Sequence, residues 1–388
     1  MMPILSADTP ADKSAGAVKV RRVDNLDALE SHREAWNTLV RRNGTHTVYQ
    51  TYEWHRCWWQ AFGHEAEPLI LLAEQDGKLV GIAPLIVSEQ RVLGRKRKVI
   101  AFMSASLYTP CDFIVDDCVP EALPAMLQWL VDHSHLWSLL LLNPCPNLAR
   151  MRSVSERLAR AGMYSSLRAV AQDSCLILGD READRKMVGK RTIRENEKKL
   201  QRLGRLQWVQ YSDAQEILDH FDTLVRLHIA RWQQTETPSL FQEAPYLAFH
   251  RTLVSTMAPA GWPHLSVLQL DGEPVGLWLH FDYENERYLL RTAYDARWYR
   301  YSPGLVALKY LLEDAIEKQI AEINFGSGQE GYKARYRNRR VTHYELRVSQ
   351  HGLSHTLDTL LLRVLERLQR HPEAWRRVNK LIIPARRF

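Results

Sequence analysis

The sequence contains little that would support metal, disulfide or hydrolytic chemistry. Its 388 residues include five cysteines, and none of them forms a Cys-x-x-Cys pair. An odd count without paired spacing argues against a disulfide framework or a zinc site and favours a reducing compartment. No His-Glu-x-x-His, Gly-x-Ser-x-Gly or Walker pattern occurs, which disfavours metalloprotease, serine hydrolase and ATPase functions.

Long apolar runs are also absent. The patch at 136–142 falls far short of the roughly 20 residues that a membrane-spanning helix needs. Residues 1–17 are rich in Ala, Asp, Ser and Pro and lack the apolar segment of a signal peptide, so they predict a disordered leader. We therefore expect a cytoplasmic protein.

Basic residues outnumber acidic ones, with 52 Lys and Arg against 45 Asp and Glu, and the net charge is +7. This excess fits a phosphate-bearing or polyanionic partner such as coenzyme A, tRNA or an anionic membrane. It is concentrated in a predicted helix at 185–205 and in the amphipathic tail at 351–388. The helix is equally consistent with a solvated face, and the tail with packing on its own domain or on a second subunit. The hairpin run 91–98 is interpreted as solvated.

The most informative stretch runs from Ser266 to Lys333. Asp271-Gly272 is a hairpin signal between two runs of β-formers, and a third such run ends at Tyr294. Ser302-Pro303-Gly304 then opens a segment whose apolar residues recur at helical spacing. The order strand, loop and helix start predicts an anion site, because the free N–H groups and the dipole of a helix start favour negative charge.

A set of short motifs carries a family resemblance: Tyr294-Asp295, Ser302-Pro303-Gly304, Phe325-Gly326-Ser327-Gly328 and Tyr332-Lys333, with His228 and Arg231-Trp232 upstream. With them, the chain resembles acyl-CoA N-acyltransferases of the GNAT fold. The closer resemblance is to the bacterial CelD-like acyltransferases of cellulose biosynthesis, which are related to FemAB-type peptidyltransferases. The loop at 299–304 departs from the GNAT pattern, since Tyr299 and Ser302 replace its first Gln or Arg and its first Gly.

The resemblance implies a site for each part of an acyl transfer. The residues expected to bind the acyl-CoA co-substrate are Arg300, Tyr301, Ser302 and Gly304. Those expected to bind substrate are Arg231, Trp232, Tyr294, Gly326, Gly328 and Tyr332. The strand 287–294 would offer N–H groups to the oxyanion. Asp295 is the first candidate base and Glu330 the second, while Lys333 would neutralise a phosphate or polarise the transferred carbonyl.

A repeated pattern predicts two related units. Asp-Gly-x-x-Val-Gly occurs at Asp76 and at Asp271, an offset of 271 − 76 = 195, and each copy lies between apolar runs that lead to a strand, a loop and a helix. We therefore predict an α/β protein with a mixed sheet and tandem GNAT-like units. A degenerate unit at 18–165 would shape the acceptor side, and the acyltransferase unit would occupy 166–350.

These observations predict an enzyme that moves an acyl group from acyl-CoA to an amine or hydroxyl acceptor, without a tightly bound cofactor or metal. The resemblance suggests exopolysaccharide or envelope biosynthesis. Two alternatives stay open: a FemAB-like transferase that uses aminoacyl-tRNA, and a non-catalytic accessory protein of a polysaccharide-synthesis machine. The basic tail leaves contact with the inner membrane open as well.

Overall fold

The computed structural model describes residues 16–44, 46–107, 109–233, 238–328 and 330–369. The strands are β1 (Lys19–Val23), β2 (Glu67–Gln75), β3 (Lys78–Val92), β4 (Arg95–Phe102), β5 (Ile114–Val115), β6 (Leu139–Cys145), β7 (Tyr164–Ile177), β8 (Leu206–Tyr211), β9 (Pro263–Leu270), β10 (Glu273–Tyr283), β11 (Glu286–Tyr294), β12 (Glu322–Ser327) and β13 (Arg339–Ser349). The helices are α1 (Arg33–Arg42), α2 (Tyr52–Phe62), α3 (Ala122–Asp132), α4 (Leu148–Arg160), α5 (Arg181–Val188), α6 (Arg191–Leu203), α7 (Ala214–Trp232), α8 (Ala244–Met257), α9 (Pro303–Glu317), α10 (Gly331–Tyr336) and α11 (Gly352–Gln369).

One continuous sheet runs through the described residues, in the order β1-β2-β3-β4-β6-β13-β7-β12-β11-β10-β9-β8, with β5 beside β3. The order is symmetric about the central pair. Strand β7, the last strand of the first half of the sequence, pairs with β12, and β13, the last strand of the second half, pairs with β6. Each half of the sheet is therefore completed by a strand from the other half of the sequence.

The two predicted hairpins have the same local geometry. Asp76-Gly77 and Asp271-Gly272 all have positive φ, as a tight primed turn requires. In both hairpins the register then skips the valine of the motif, Val80 or Val275. The mixed α/β fold with two related halves is thus present in the structure.

Helices cover both faces of the sheet. On one face, α1, α2, α7 and α8 bury their apolar sides in a single cluster that spans both halves, with Trp54 against Phe249 and Phe281. On the other face, α3 and α4 cover the first half, while α5, α6 and α9 cover the second. The shared cluster joins the halves into one core.

Several local predictions were wrong. The basic segment 185–205 is not one helix, because α5 ends at Val188 and α6 begins at Arg191. The hairpin run 91–98 is not wholly solvated, since Arg97 is buried against Asp358 of α11. Residues 1–15 of the predicted leader and 370–388 of the predicted tail lie outside the described residues. Among the described helices, none has the length and apolar character to cross a bilayer.

Candidate active site

A gap opens between two parallel strands at the centre of the second half. Strands β11 and β12 pair only from Glu286–Glu322 to Tyr288–Asn324, and beyond that point each continues without the other. Within this free part of β11, the register with β10 skips Leu290, which marks a bulge. Backbone groups on the free edge of β11 have no strand partner, so they can bind a ligand placed in the gap.

Arg291 brings an unneutralised positive charge to this gap. Its guanidinium donates to Leu290 O at 2.6 Å and to the hydroxyl of Tyr246, and it lies 5.2 Å from the centre of the Tyr246 ring. Burial lowers the pKa of Arg291 to about 10, opposed only by Tyr49. No carboxylate of the described residues lies within 4 Å of it. A cation in this setting is suited to an anionic or strongly polarised ligand group.

The start of α9 lies against the end of β11. Ser302 adopts a left-handed conformation, with φ of 48°, and α9 follows at once. A Cβ atom at Gly304 would lie 3.3 Å from Cδ1 of Tyr294, and Trp278 Nε1 donates to Gly304 O at 3.1 Å. Gly276 permits the close packing of this turn, because a Cβ there would lie 2.9 Å from Pro303 O. The predicted cofactor residues Ser302 and Gly304 therefore adjoin the gap.

The other two predicted cofactor residues lie in the short 3-10 helix before α9. Arg300 is exposed, whereas Tyr301 is half-buried and packs against Trp298. The neighbouring surface is also basic, because α6 contacts this turn and exposes Arg194 and Lys198. A phosphate-bearing donor that approached the start of α9 would therefore meet positive charge.

Asp295 forms a helix cap. Its Oδ1 accepts from the Arg297 backbone N–H at 2.9 Å, and its Oδ2 accepts from the Arg297 guanidinium at 2.6 Å. Burial raises the pKa of Asp295, but these bonds outweigh it and leave the pKa below its usual value. Asp116 caps the corresponding turn of the first half in the same way, by accepting from Cys118 N at 3.0 Å. Both aspartates donate N–H to the carbonyl of the skipped valine, Val275 or Val80. The cap thus belongs to the fold of both halves, and the predicted role of Asp295 as base stays a prediction.

Lys333 braces the turn that follows β12. The ammonium group is buried and lies 2.5 Å from Ser327 O, 3.5 Å from Gly326 O and 3.0 Å from Glu330 Oε2. These contacts engage all three of its N–H donors. Gly328, with φ of 121°, leaves room for the Glu330 carboxylate, since a Cβ there would lie 2.4 Å from Oε2. Glu330 and Lys333 are thus brought together at the gap, and their catalytic roles stay predictions.

Aromatic and cationic side chains of α7, β11 and α10 lie together beside the gap. The Arg231 guanidinium lies 4.9 Å from the centre of the Tyr294 ring and 5.7 Å from that of Trp232. The Tyr332 ring packs edge-on against Trp278, with 5.9 Å between ring centres. Burial raises the pKa of the Tyr332 hydroxyl, aided by Glu330 and opposed by Arg231. The structure therefore gathers the predicted substrate residues at one place, while their contacts with substrate stay predictions.

A buried acid–histidine pair lies beside the same strand end. His343 Nε2 of β13 is 3.3 Å from Asp173 Oδ2 of β7, and Asn324 Nδ2 of β12 is 3.3 Å from the same oxygen. Asn324 Oδ1 in turn accepts from Gly326 N at 2.7 Å. Burial, then Asp173, raises the pKa of Tyr49, while Arg291 opposes this rise. The charges of Asp173 and Arg291 therefore both act on the Tyr49 hydroxyl.

Sequence reasoning missed Arg291, Asp173 and His343 as site residues. Asp173 and His343 are 170 residues apart in the sequence (343 − 173), and they meet only because β7 and β13 pair antiparallel at the centre of the sheet. Arg291 lies on a predicted strand, and its direction depends on the bulge at Leu290.

The first half lacks the features of this gap. Its parallel strands β4 and β6 pair from Val99–Leu139 to Ala101–Leu141. The turn before α3 carries three acidic residues, Asp116, Asp117 and Glu121. The hydrogen bonds of Arg150 are made within the first half, to Asp112 Oδ2 at 2.7 Å and to Phe113 O at 2.7 Å. An acidic turn repels a phosphate-bearing ligand, so the two halves differ in electrostatics at equivalent places.

Residues 188–334 match the family model described as an acetyltransferase (GNAT) domain. The matched segment contains the gap, the start of α9 and the brace formed by Lys333. The chain is accordingly an acyltransferase by class. No curated protein matches the sequence.

Solved structures share the fold over most of the chain. FemX has a TM-score of 0.58 and 11% identity, with coverage of 88% of this chain and 100% of FemX. The C-terminal domain of a proposed lysylphosphatidylglycerol synthetase from Agrobacterium fabrum has a TM-score of 0.51 and 13% identity, with coverage of 86% and 96%. A protein of unknown function from Bacteroides thetaiotaomicron has a TM-score of 0.51 and 12% identity, with coverage of 85% and 100%. At these identities, the likeness concerns the fold alone.

Proposed function

We propose that the chain transfers an acyl group from acyl-CoA to an amine or hydroxyl acceptor in the gap between β11 and β12. The observation that carries the proposal is the open edge of β11 beyond Tyr288, with its bulge at Leu290 and the unneutralised Arg291. Backbone N–H groups on a free strand edge can hold the carbonyl oxygen of a thioester as its negative charge grows.

The donor would enter past the start of α9. Arg300 and the exposed cations of α6 would meet its phosphates, and Ser302 and Gly304 would allow a close approach of the backbone. The acidic turn before α3 supports a single donor site for each chain. The first half would then shape the acceptor side, where its Tyr49 packs edge-on against Tyr288 at 5.3 Å.

The transfer requires one proton acceptor and one proton donor. The acceptor nucleophile forms a bond to the carbonyl carbon, the C–S bond breaks, and the nucleophile's proton passes to a base. Candidate bases are Asp295, Glu330 and the Asp173–His343 pair. Tyr332, which its raised pKa keeps protonated at neutral pH, is the candidate proton donor to the departing sulfur.

The Asp173–His343 pair is favoured over Asp295 as the base, because it differs from the equivalent buried acid of the first half, Glu345. There, Glu345 of β13 accepts from Asn143 at 3.0 Å, much as Asp173 accepts from Asn324, but Arg168 and Arg347 also hold it at 2.8 Å. The partner of Asp173 is instead the histidine His343, which stands where Glu345 has two arginines. We expect His343→Gln and Asp173→Asn to lower kcat at least about tenfold with donor affinity unchanged, whereas Glu345→Gln leaves kcat intact. Equal kcat in all three variants would remove the pair from the mechanism.

A second candidate function is aminoacyl transfer from tRNA. The exposed basic face of α6 and the shared fold with FemX favour it. The CelD-like assignment and an acceptor in exopolysaccharide or envelope biosynthesis rest only on the sequence resemblance. The accessory, non-catalytic alternative would retain this fold without using the gap.

Thermal unfolding with candidate donors separates these alternatives. A ligand at about 100 times its Kd stabilises the folded state by about 2.7 kcal/mol. We expect acetyl-CoA or a longer acyl-CoA to raise Tm, and Gly304→Val to abolish the rise by crowding Tyr294. A rise with tRNA alone would favour aminoacyl transfer. No rise with any acyl-CoA, free coenzyme A or tRNA would contradict both enzymatic proposals and favour the accessory function.

A further inference from the structure

Helix α11 presents an apolar stripe to the outside of the molecule. Leu353, Leu357, Leu360 and Val364 are 84%, 49%, 51% and 50% exposed. Their spacing of four, three and four residues places them on one face of the helix. Single exposed apolar side chains are ordinary, but an aligned set on one helix face indicates a binding surface.

The opposite face of α11 is anchored, so the stripe cannot turn inward. Asp358 forms a buried ion pair with Arg97 of β4 at 2.8 Å, with side-chain exposures of 8% and 7%. Glu366 binds Arg168 of β7 at 2.6 Å, and Leu365 is buried. These contacts hold the helix on the sheet with its apolar face directed away from the core.

Exposed basic residues lie on α11 and on the hairpin that it packs against. The β3–β4 hairpin, whose Arg97 holds α11, exposes further basic residues, namely Arg91, Arg95, Lys96 and Lys98. Arg363 and Arg367 are exposed on α11 itself. The sequence beyond the helix, 370–388, adds six Lys or Arg against one Glu. An apolar helix face bordered by cations complements a bilayer that contains anionic phospholipid.

We propose that the stripe of α11 docks the protein on an anionic membrane surface, with the helix parallel to the bilayer plane. The apolar side chains insert among the acyl chains, and the basic residues of the β3–β4 hairpin and of α11 contact the headgroups. This inference does not depend on the identity of the acyl donor. A second copy of the chain is the main competing occupant of the stripe.

Co-sedimentation of the full chain with lipid vesicles tests the proposal. The probes are vesicles of phosphatidylglycerol and phosphatidylcholine in equal parts, and vesicles of phosphatidylcholine alone. We expect binding only to the anionic vesicles, and at least about tenfold weaker binding for the double variant L357Q/L360Q. Leu203→Gln is the matched control, because Leu203 is 48% exposed at the end of the basic helix α6. The control should bind as well as the wild type.

Three results would overturn the proposal. The first is absence of binding to anionic vesicles. The second is equal binding of wild type and L357Q/L360Q, because the basic segments alone would then suffice. The third is a wild-type dimer, by light scattering, that L357Q/L360Q dissociates, because the stripe would then be an interface between copies. Circular dichroism of the double variant should match the wild type, since both changes lie on the exposed face.

Discussion

Arg287 links β11, at the start of the gap, to helix α9, whose N-terminus is the proposed entry point of the donor. Replacing Arg287 should therefore destabilise the folded protein. Its side chain is fully buried on β11 and donates to Asp282 at 2.8 and 2.7 Å, to Asp314 of α9 at 2.9 Å and to Leu311 O at 2.8 Å. Arg287→Ala would leave two largely buried carboxylates without their shared cation. Breaking a buried ion pair on one side costs about 3–5 kcal/mol.

The assay is urea unfolding of both proteins, with the free energy of unfolding extrapolated to water. The matched control is Arg21→Ala, because Arg21 binds Glu74 at 3.1 Å with side chains that are 45% and 34% exposed. An exposed pair of this kind contributes less than about 1 kcal/mol. We expect a loss of at least about 3 kcal/mol for Arg287→Ala. A loss no larger than that of the control would refute this account of how α9 is held.

Three further substitutions test the donor site and the buried acid of the first half. Gly276→Ala should weaken donor binding at least about fivefold in a titration, because its Cβ would meet Pro303 O at 2.9 Å beside the proposed donor site. Gly81→Ala, whose Cβ would meet the side chains of Ala73 and Met126 at 3.1 Å, should not, because Gly81 lies in the half without that site. Equal donor affinities of the two variants would contradict the placement of the donor beside Pro303. Glu345→Gln should destabilise the protein most near neutral pH. Burial raises the pKa of Glu345, but Arg347 and Arg168 lower it below its ordinary value, so the stabilisation is present above about pH 4.5 and is lost as pH falls. A difference in unfolding free energy that stays constant down to about pH 3 would disprove this assignment.

Elements whose pattern is local could be predicted well from the sequence. Helix α7 is of this kind, because Asp213 caps its start and the apolar residues of its core face recur at regular helical spacing. The two Asp-Gly turns were predictable because only a few residue types accept positive φ. Their common register skip then follows from the repeated motif.

The features that were missed depend on distant pairing. Helix α10 is a single short turn whose residues also suit a loop, and the exchange of β7 and β13 leaves no local signal. The motif resemblance pointed to residues that the structure places around the gap, and their roles there stay predictions. The contacts that define their chemistry, such as the cap of Asp295 and the brace of Lys333, became visible only with the fold.

The most direct test of the central claim is hydrogen exchange of the full chain, with and without the donor that most raises Tm. If that donor occupies the gap between β11 and β12, peptides covering 289–304 and 325–336 should exchange more slowly with ligand, as bound backbone N–H groups become protected. The equivalent segment of the first half, 99–116, should not change. Protection of 99–116 without protection of 289–304 would contradict the claim that the second half holds the donor.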